Sequence, residues 1–311
     1  MKRISLQPVH HILATKEMTV NQLLSQMTKT GVMGGGKLGR AADIYEMMLK
    51  DKECTKFFGL AGAMVPGGMK QIIIDMINDG WIDVLVTTGA NLTHDLGEAL
   101  GYRHYHSQEK ISDAELHKQR LDRMFDSYMP DEIYEGLEDF FTKVLPKLPK
   151  ERMGISRFLR EIAPQIPTKH PSILRACYEK NIPIYCPALA DSGIGLQIWN
   201  YIQRHNLDVL AFEDLKEMLD VAWTAKKAGI FYVGGGVPKN YIQQALQLSK
   251  GATYAIQITM DRPEPGGSSG AELQEGISWG KLKEDAHFVN LICDTTIALP
   301  LIRAAVMDRM K

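Results

Sequence analysis

The sequence predicts a doubly wound α/β fold built on a mostly parallel, Rossmann-like sheet. Three observations predict it. Six short apolar runs recur along the 311 residues and lead into Gly, Ala, Thr or Asp. Within each run the apolar residues are near-continuous, as in strands covered on both faces, and do not alternate with polar ones. Segments with helical spacing separate several of the runs.

In chain order, Met18–Leu49 reads as two helices joined at Gly34-Gly35-Gly36, within an N-terminal helical extension over 1–50. Phe57–Leu60 is the first strand and runs into Ala61-Gly62-Ala63. Met69–Asp79 places Ile72, Ile73, Met76 and Ile77 on one stripe, a helical period. Ile82–Val86 is a second strand, ending in Thr87-Thr88-Gly89. The charge-rich stretch 108–165 has helical segments at Ile133–Lys147 and Ser156–Ile162. It reads as a helical insertion into a single 1–311 domain. Ile182–Cys186 leads to Pro187 and Asp191. Phe212–Lys227 is helical, with Leu215, Met218, Leu219 and Ala222 aligned. Ile230–Val233 ends in Gly234-Gly235-Gly236, and a helix is expected over Tyr241–Lys250. Tyr254–Ile258 leads into a Gly/Ser/Pro loop, and Phe288–Cys293 ends in Asp294-Thr295-Thr296.

Composition bounds the function classes. The net charge is -1, with 36 Lys and Arg against 37 Asp and Glu, and no basic block gives nucleic-acid binding electrostatic support. No apolar stretch reaches membrane-spanning length. Met1–Thr15 lacks a signal-type apolar core. Cys54, Cys177, Cys186 and Cys293 form no C-x-x-C pair, which argues against a structural zinc or disulfide framework and for a reduced, cytoplasmic setting. Cys186 and Cys293 read as buried apolar residues, and Trp199 and Trp223 as core. No metal site is expected: His104 and His106 lack an evident third ligand.

Ligands of open parallel sheets bind at the carboxyl ends of the strands. Thr88, Gly89, Asp191, Gly235, Asp294 and Thr295 collect there, the outline of a site for a nucleotide or similar anionic cofactor. Asp191 and Asp294 would serve equally as helix caps, and the Gly triplet equally as a plain turn. His94 follows a strand end, as a general base or as part of a first helical turn. Ser278-Trp279-Gly280-Lys281 places a lysine beside a large aromatic at a loop-to-strand junction. A desolvated amine there would favour its neutral, nucleophilic form.

Several blocks resemble the deoxyhypusine synthase family over nearly the full length. They are Gly39-Arg40-Ala41, Asp83–Asn91, Pro183–Gly195, Gly234–Lys239, Ser268–Lys281 and Cys293–Pro300. The resemblance implies that family's Rossmann-type fold, a homotetramer with NAD at subunit interfaces, and a transferase of alkyl groups other than methyl. In the family, NAD oxidises spermidine to an imine, a lysine takes up the aminobutyl group as an enzyme imine, and a target amine receives it before the retained NADH reduces the product. The acceptor is a lysine of the hypusine-containing translation factor. By the same resemblance Lys281 is the catalytic lysine. Trp279 and Glu275 lie on the substrate side, and Thr88, Gly89, Asp191, Gly235 and Asp294 hold the cofactor.

The chain departs from the family at the polyamine pocket. Thr93 and His94 stand where paired glutamates are expected, Leu196 replaces an acid, Asn240 replaces a histidine, and Pro265 and Ser268 replace aspartates. Those acids pair with the ammonium ends of a dication. Losing three or more should cost several kcal/mol, at roughly 1.5–3 kcal/mol per charge-assisted hydrogen bond. The expectation is an NAD-dependent aminoalkyl transferase with a rewritten substrate pocket, His94 and Asn240 included, acting on a polyamine-type donor and a small-amine acceptor. The alternative is a silent NAD- or metabolite-binding homologue with a regulatory role.

Overall fold

The computed structural model describes residues 6–311. Residues 1–5, the start of the segment weighed above as a leader, lie outside the described residues. Six parallel strands form the central sheet: β1 (Cys54–Leu60), β2 (Val84–Thr87), β3 (Ile184–Tyr185), β4 (Lys227–Val233), β5 (Ala252–Thr259) and β6 (Leu282–Ile292). All six correspond to the apolar runs, and their order is β6-β5-β4-β1-β2-β3. From the other edge this is 3-2-1-4-5-6, the order in which successive strands reverse direction across the sheet between the first and fourth. There Leu60 of β1 pairs with Val233 of β4.

Both faces of the sheet are buried, which is why the strands read as continuous apolar runs. Alternate residues of one strand point to opposite faces. Phe58 and Leu85 join one core with Tyr45 of the helix Met33–Lys50 and with Ile302 of the helix Thr295–Arg309. Phe57, Val84 and Val86 join the other with Ile242 of the helix Gly236–Gln247 and Met218 of the helix Ala211–Thr224. Phe58 stacks on Phe231 with centroids 5.3 Å apart, and Tyr45 meets Phe231 edge-on at 4.9 Å.

Four local expectations change. The N-terminal helices, Val20–Thr30 and Met33–Lys50, join at Gly31 and not at the glycine triplet. Gly31 adopts φ 72°, a left-handed cap. The glycines lie inside the second helix because it packs hard on the first. A Cβ on Gly36 would sit 2.6 Å from the Gly31 backbone, and one on Gly39 2.5 Å from the Thr28 amide nitrogen. The stretch 108–165 contains helices at Asp113–Lys118, Glu132–Val144 and Ile155–Ile162. An antiparallel sheet of 105–106, 127–130 and 121–124, absent from the sequence reading, lies beside them. Trp199 and Trp223, expected in the core, are 59% and 53% exposed, since each lies on the outer face of its helix. Cys186 is buried and Cys293 only partly. Among the described residues no helix is long and apolar enough to cross a membrane.

Candidate active site

Lys281 is the last residue before β6. The short helix Glu275–Ser278 precedes it, and Gly280 turns the chain at φ 70°, a conformation that favours glycine. The Lys281 amide donates to the Gly276 carbonyl at 2.8 Å, closing the turn. The side chain then lies over the neighbouring indole, with Nζ 4.8 Å from the Trp279 ring centroid, within cation–π range. Lys281, Trp279, Glu275 and Asn240 line one cavity of about 140 Å³, together with Lys239 and Gln243. The structure thus brings four of the sequence-selected residues together. Trp279 itself is 55% exposed, so within one chain the indole does not enclose the lysine, and the expected desolvation by this neighbour is not seen.

Lys239 went unselected in the sequence, yet it is the buried lysine of this cavity, 1% exposed. Its ammonium donates to the Ala271 carbonyl at 2.6 Å. Burial pushes its pKa down to about 8; Glu275 opposes this and Lys281 adds to it. The available signal was its spacing from Gln243, since i and i+4 share a helix face. The loop above is held from below at further points. The Gly236 amide donates to Ser269 Oγ at 2.7 Å, and the Gln257 side-chain amide donates to the Ser269 carbonyl at 3.1 Å. Gly235 must be glycine for the same reason: a Cβ there would lie 2.3 Å from Ser269 Cα.

The remaining selected residues occupy strand ends outside this cavity. Thr88 caps the helix Gly89–Ala99 by accepting from the Asn91 amide at 3.3 Å. A Cβ on Gly89 would meet the Ser192 Cβ at 2.4 Å, so the turns after β2 and β3 interlock there. Asp191 is exposed, and its neighbour Ser192 caps the following helix. Asp294 caps the last helix, accepting from the Thr296 amide at 2.8 Å, and Thr295 is buried beneath it. At the β1–β4 reversal, Gly62 and Gly234 both take positive φ, 78° and 71°. Nearby, the buried Asn91 Oδ1 has no hydrogen-bond partner. Bare backbone, helix N-termini and an unpaired buried acceptor at the switch point fit a dinucleotide.

His94 heads a buried polar chain that single-residue reading missed. Its Nδ1 lies 3.0 Å from His104 Nε2, and His104 Nδ1 lies 2.8 Å from Glu98 Oε1. Lys70 Nζ is 3.4 Å from Glu98 Oε2 and 3.2 Å from Asp95 Oδ1. Asp95, wholly buried, accepts from Ser172 Oγ at 2.7 Å and from the Ile173 amide at 2.8 Å. Burial works against ionisation of Glu98. The hydrogen bond to His104 and the Lys70 ammonium outweigh it and hold Glu98 below the usual carboxylate range. Burial, with His104 adding and Glu98 opposing, lowers His94 to about 4. His94 is therefore neutral at pH 7. His104 turns into this chain, while His106 stays exposed in its short strand.

Comparison with known proteins fits this arrangement. Residues 22–306 match the family model described as deoxyhypusine synthase. A Methanosarcina mazei protein named probable deoxyhypusine synthase 1 is 47% identical over 304 residues, 97% of this chain and 95% of the relative. One from Archaeoglobus fulgidus with the same name is 41% identical over 293 residues, 93% of this chain and 94% of the relative. A solved Entamoeba histolytica structure, described as a candidate deoxyhypusine synthase, superposes with TM-score 0.68. It covers 95% of this chain and 96% of its own, at 19% identity, and so speaks to the fold.

Proposed function

Because the chain belongs to the deoxyhypusine synthase family, we propose that it is a transferase that moves an aminobutyl-type group from a polyamine donor, through an imine on Lys281, to a small amine acceptor. The observation that carries this reading is the cavity lined by Lys281, Trp279 and Glu275, in which the Lys281 ammonium lies over the Trp279 ring. Trp279 offers a face for the alkylammonium of a donor. Glu275 can hold an amine end by a charge-assisted hydrogen bond. Lys281, once free of its proton, is the nucleophile.

NAD, when bound, would remove a hydride from the carbon next to the donor nitrogen and return one at the end. Thr88, Gly89, Asp191, Gly235, Asp294 and Thr295 are the residues proposed to hold it. Gly89 and Gly235 act by letting neighbouring turns close up, and Asp294 by fixing the last helix. The residues near Lys281 do the rest: Trp279 and Glu275 orient the amine, and Lys281 Nζ attacks the imine carbon as the departing amine leaves with the proton.

The rewritten substrate pocket rests on the positions where family acids are missing. Neutral His94 cannot replace a carboxylate as a counter-ion. Thr93 is occupied in accepting from the Ile194 amide at 3.3 Å, and Leu196 is exposed. Exposed Trp279, Val237, Met260 and Ile297 support assembly into a homotetramer that covers them. Four unpaired cysteines suit the cytoplasm. The test is transfer from labelled spermidine, with NAD, to a panel of diamines and to a purified hypusine-type translation factor. Label is expected in a diamine and absent with Lys281→Ala. Label in the protein factor alone would overturn the acceptor assignment.

A further inference from the structure

We propose that a cavity beside the edge strand β3 is a second binding site, built for an aliphatic amino acid: Arg160 takes its carboxylate, Glu217 its ammonium, and an apolar floor its side chain. The cavity measures about 300 Å³. It lies where the chain enters β3, among the helices Ile155–Ile162, Ile173–Glu179 and Ala211–Thr224. That volume is at the small end of the range for small-molecule sites. β3 and β6 are opposite edges of the sheet, and the cavity shares no lining residue with the one that holds Lys281. It is therefore separate from the candidate active site.

The floor is apolar, with Leu159, Leu174 and Ile184 all buried. Three charged side chains line the cavity: Arg157, Arg160 and Glu217. Arg157 is already engaged, with Glu151 at 2.9 Å and Glu161 at 3.8 Å. Among the described residues neither Arg160 nor Glu217 has an oppositely charged partner within 4.0 Å. Arg160 is nevertheless the cation that acts on Glu217. The two charges thus face one space without closing on each other. Both are exposed at its mouth, where water weakens a bare pair. The Glu217 end is also unsatisfied beneath: Tyr185 of β3 is wholly buried, its hydroxyl has no hydrogen-bond partner, and after burial itself Glu217 is the group that most affects it.

These charges select the ligand class. A polyamine would meet two arginines here, and a dicarboxylate would meet Glu217. A zwitterion meets an opposite charge at each end, and the floor favours an aliphatic side chain over a polar one.

The test is calorimetric titration of the whole protein with L-leucine and with two analogues that each lack one charge, 4-methylpentanoate and 3-methylbutylamine. L-leucine is expected to bind saturably, and each analogue about tenfold or more weakly, since each loses one charge-assisted contact. Arg160→Leu should weaken L-leucine by a similar factor and leave the amine analogue unchanged. Glu217→Gln should weaken L-leucine and leave the carboxylate analogue unchanged. Both side chains are exposed, so the variants should fold, which the unliganded melting temperature checks. Lys281→Ala should bind L-leucine as wild type does. No saturable binding of L-leucine would overturn the proposal. So would binding that neither variant weakens, or binding that Lys281→Ala abolishes.

Discussion

His94 Nδ1 lies 3.0 Å from His104 Nε2, at a position where the family resemblance leads one to expect a glutamate. A neutral imidazole tied to a second imidazole gives this end of the helix Gly89–Ala99 a hydrogen-bonding group without a charge.

That pair makes stability depend on pH in a definite direction. The folded pKa of His94, about 4, lies below the ordinary 6.5. Between these values the unfolded chain binds a proton that the folded chain refuses. Stability should therefore rise from pH 4 to 6.5, its His94 share complete above that and lost on acidification, on the order of 1–3 kcal/mol. Urea unfolding at stepped pH should show this slope flattened in His94→Gln. An unchanged slope in the variant would contradict the assignment.

Lys70 holds two carboxylates, Asp95 and Glu98, with only 7% of its own surface exposed. Lys70→Met should destabilise by about 3–5 kcal/mol, because it leaves Asp95 buried without its cation. Thermal or denaturant unfolding measures this. A loss under about 1 kcal/mol would show that the amide and hydroxyl donors to Asp95 suffice.

Gly235→Ala should push the Ser269 loop off the helix start, because the new Cβ has no room beside Ser269 Cα. The expected cost is about 1–3 kcal/mol, as for other overpacked sites. Trapping of an aldehyde on Lys281 should fall with it, since Ser268 of that loop lines the Lys281 cavity. Normal trapping would detach the loop from the cavity.

Much of this was legible in the sequence, for identifiable reasons. All six strands announced themselves because both sheet faces are buried, so Phe57 and Phe58 are both apolar. Strand order stayed hidden, because pairing across the β1–β4 reversal joins residues about 170 positions apart. The glycine triplet misled because tight helix packing uses the same residue as a turn. Trp279 and Lys281 were visible as neighbours. Lys239 was not, because its burial depends on the Ala271 loop lying over it. The His94–His104–Glu98 chain was equally hidden, since a ten-residue separation carries no local period.

Assembly is open to direct measurement. Light scattering on purified protein should give the mass of four 34.8 kDa chains, and Trp279 fluorescence should shift on dilution as the indole is uncovered. A monomer at micromolar concentration would contradict the tetramer and leave Trp279 in solvent.

The central claim is the imine on Lys281. Its most direct test is intact and peptide mass after incubation with NAD, a panel of di- and polyamines, and borohydride. A mass gain mapping to Lys281, of the size of an aminoalkyl group, is predicted. No gain with any amine, in protein shown to bind NAD, would contradict it and favour a binding protein that keeps the fold without the chemistry.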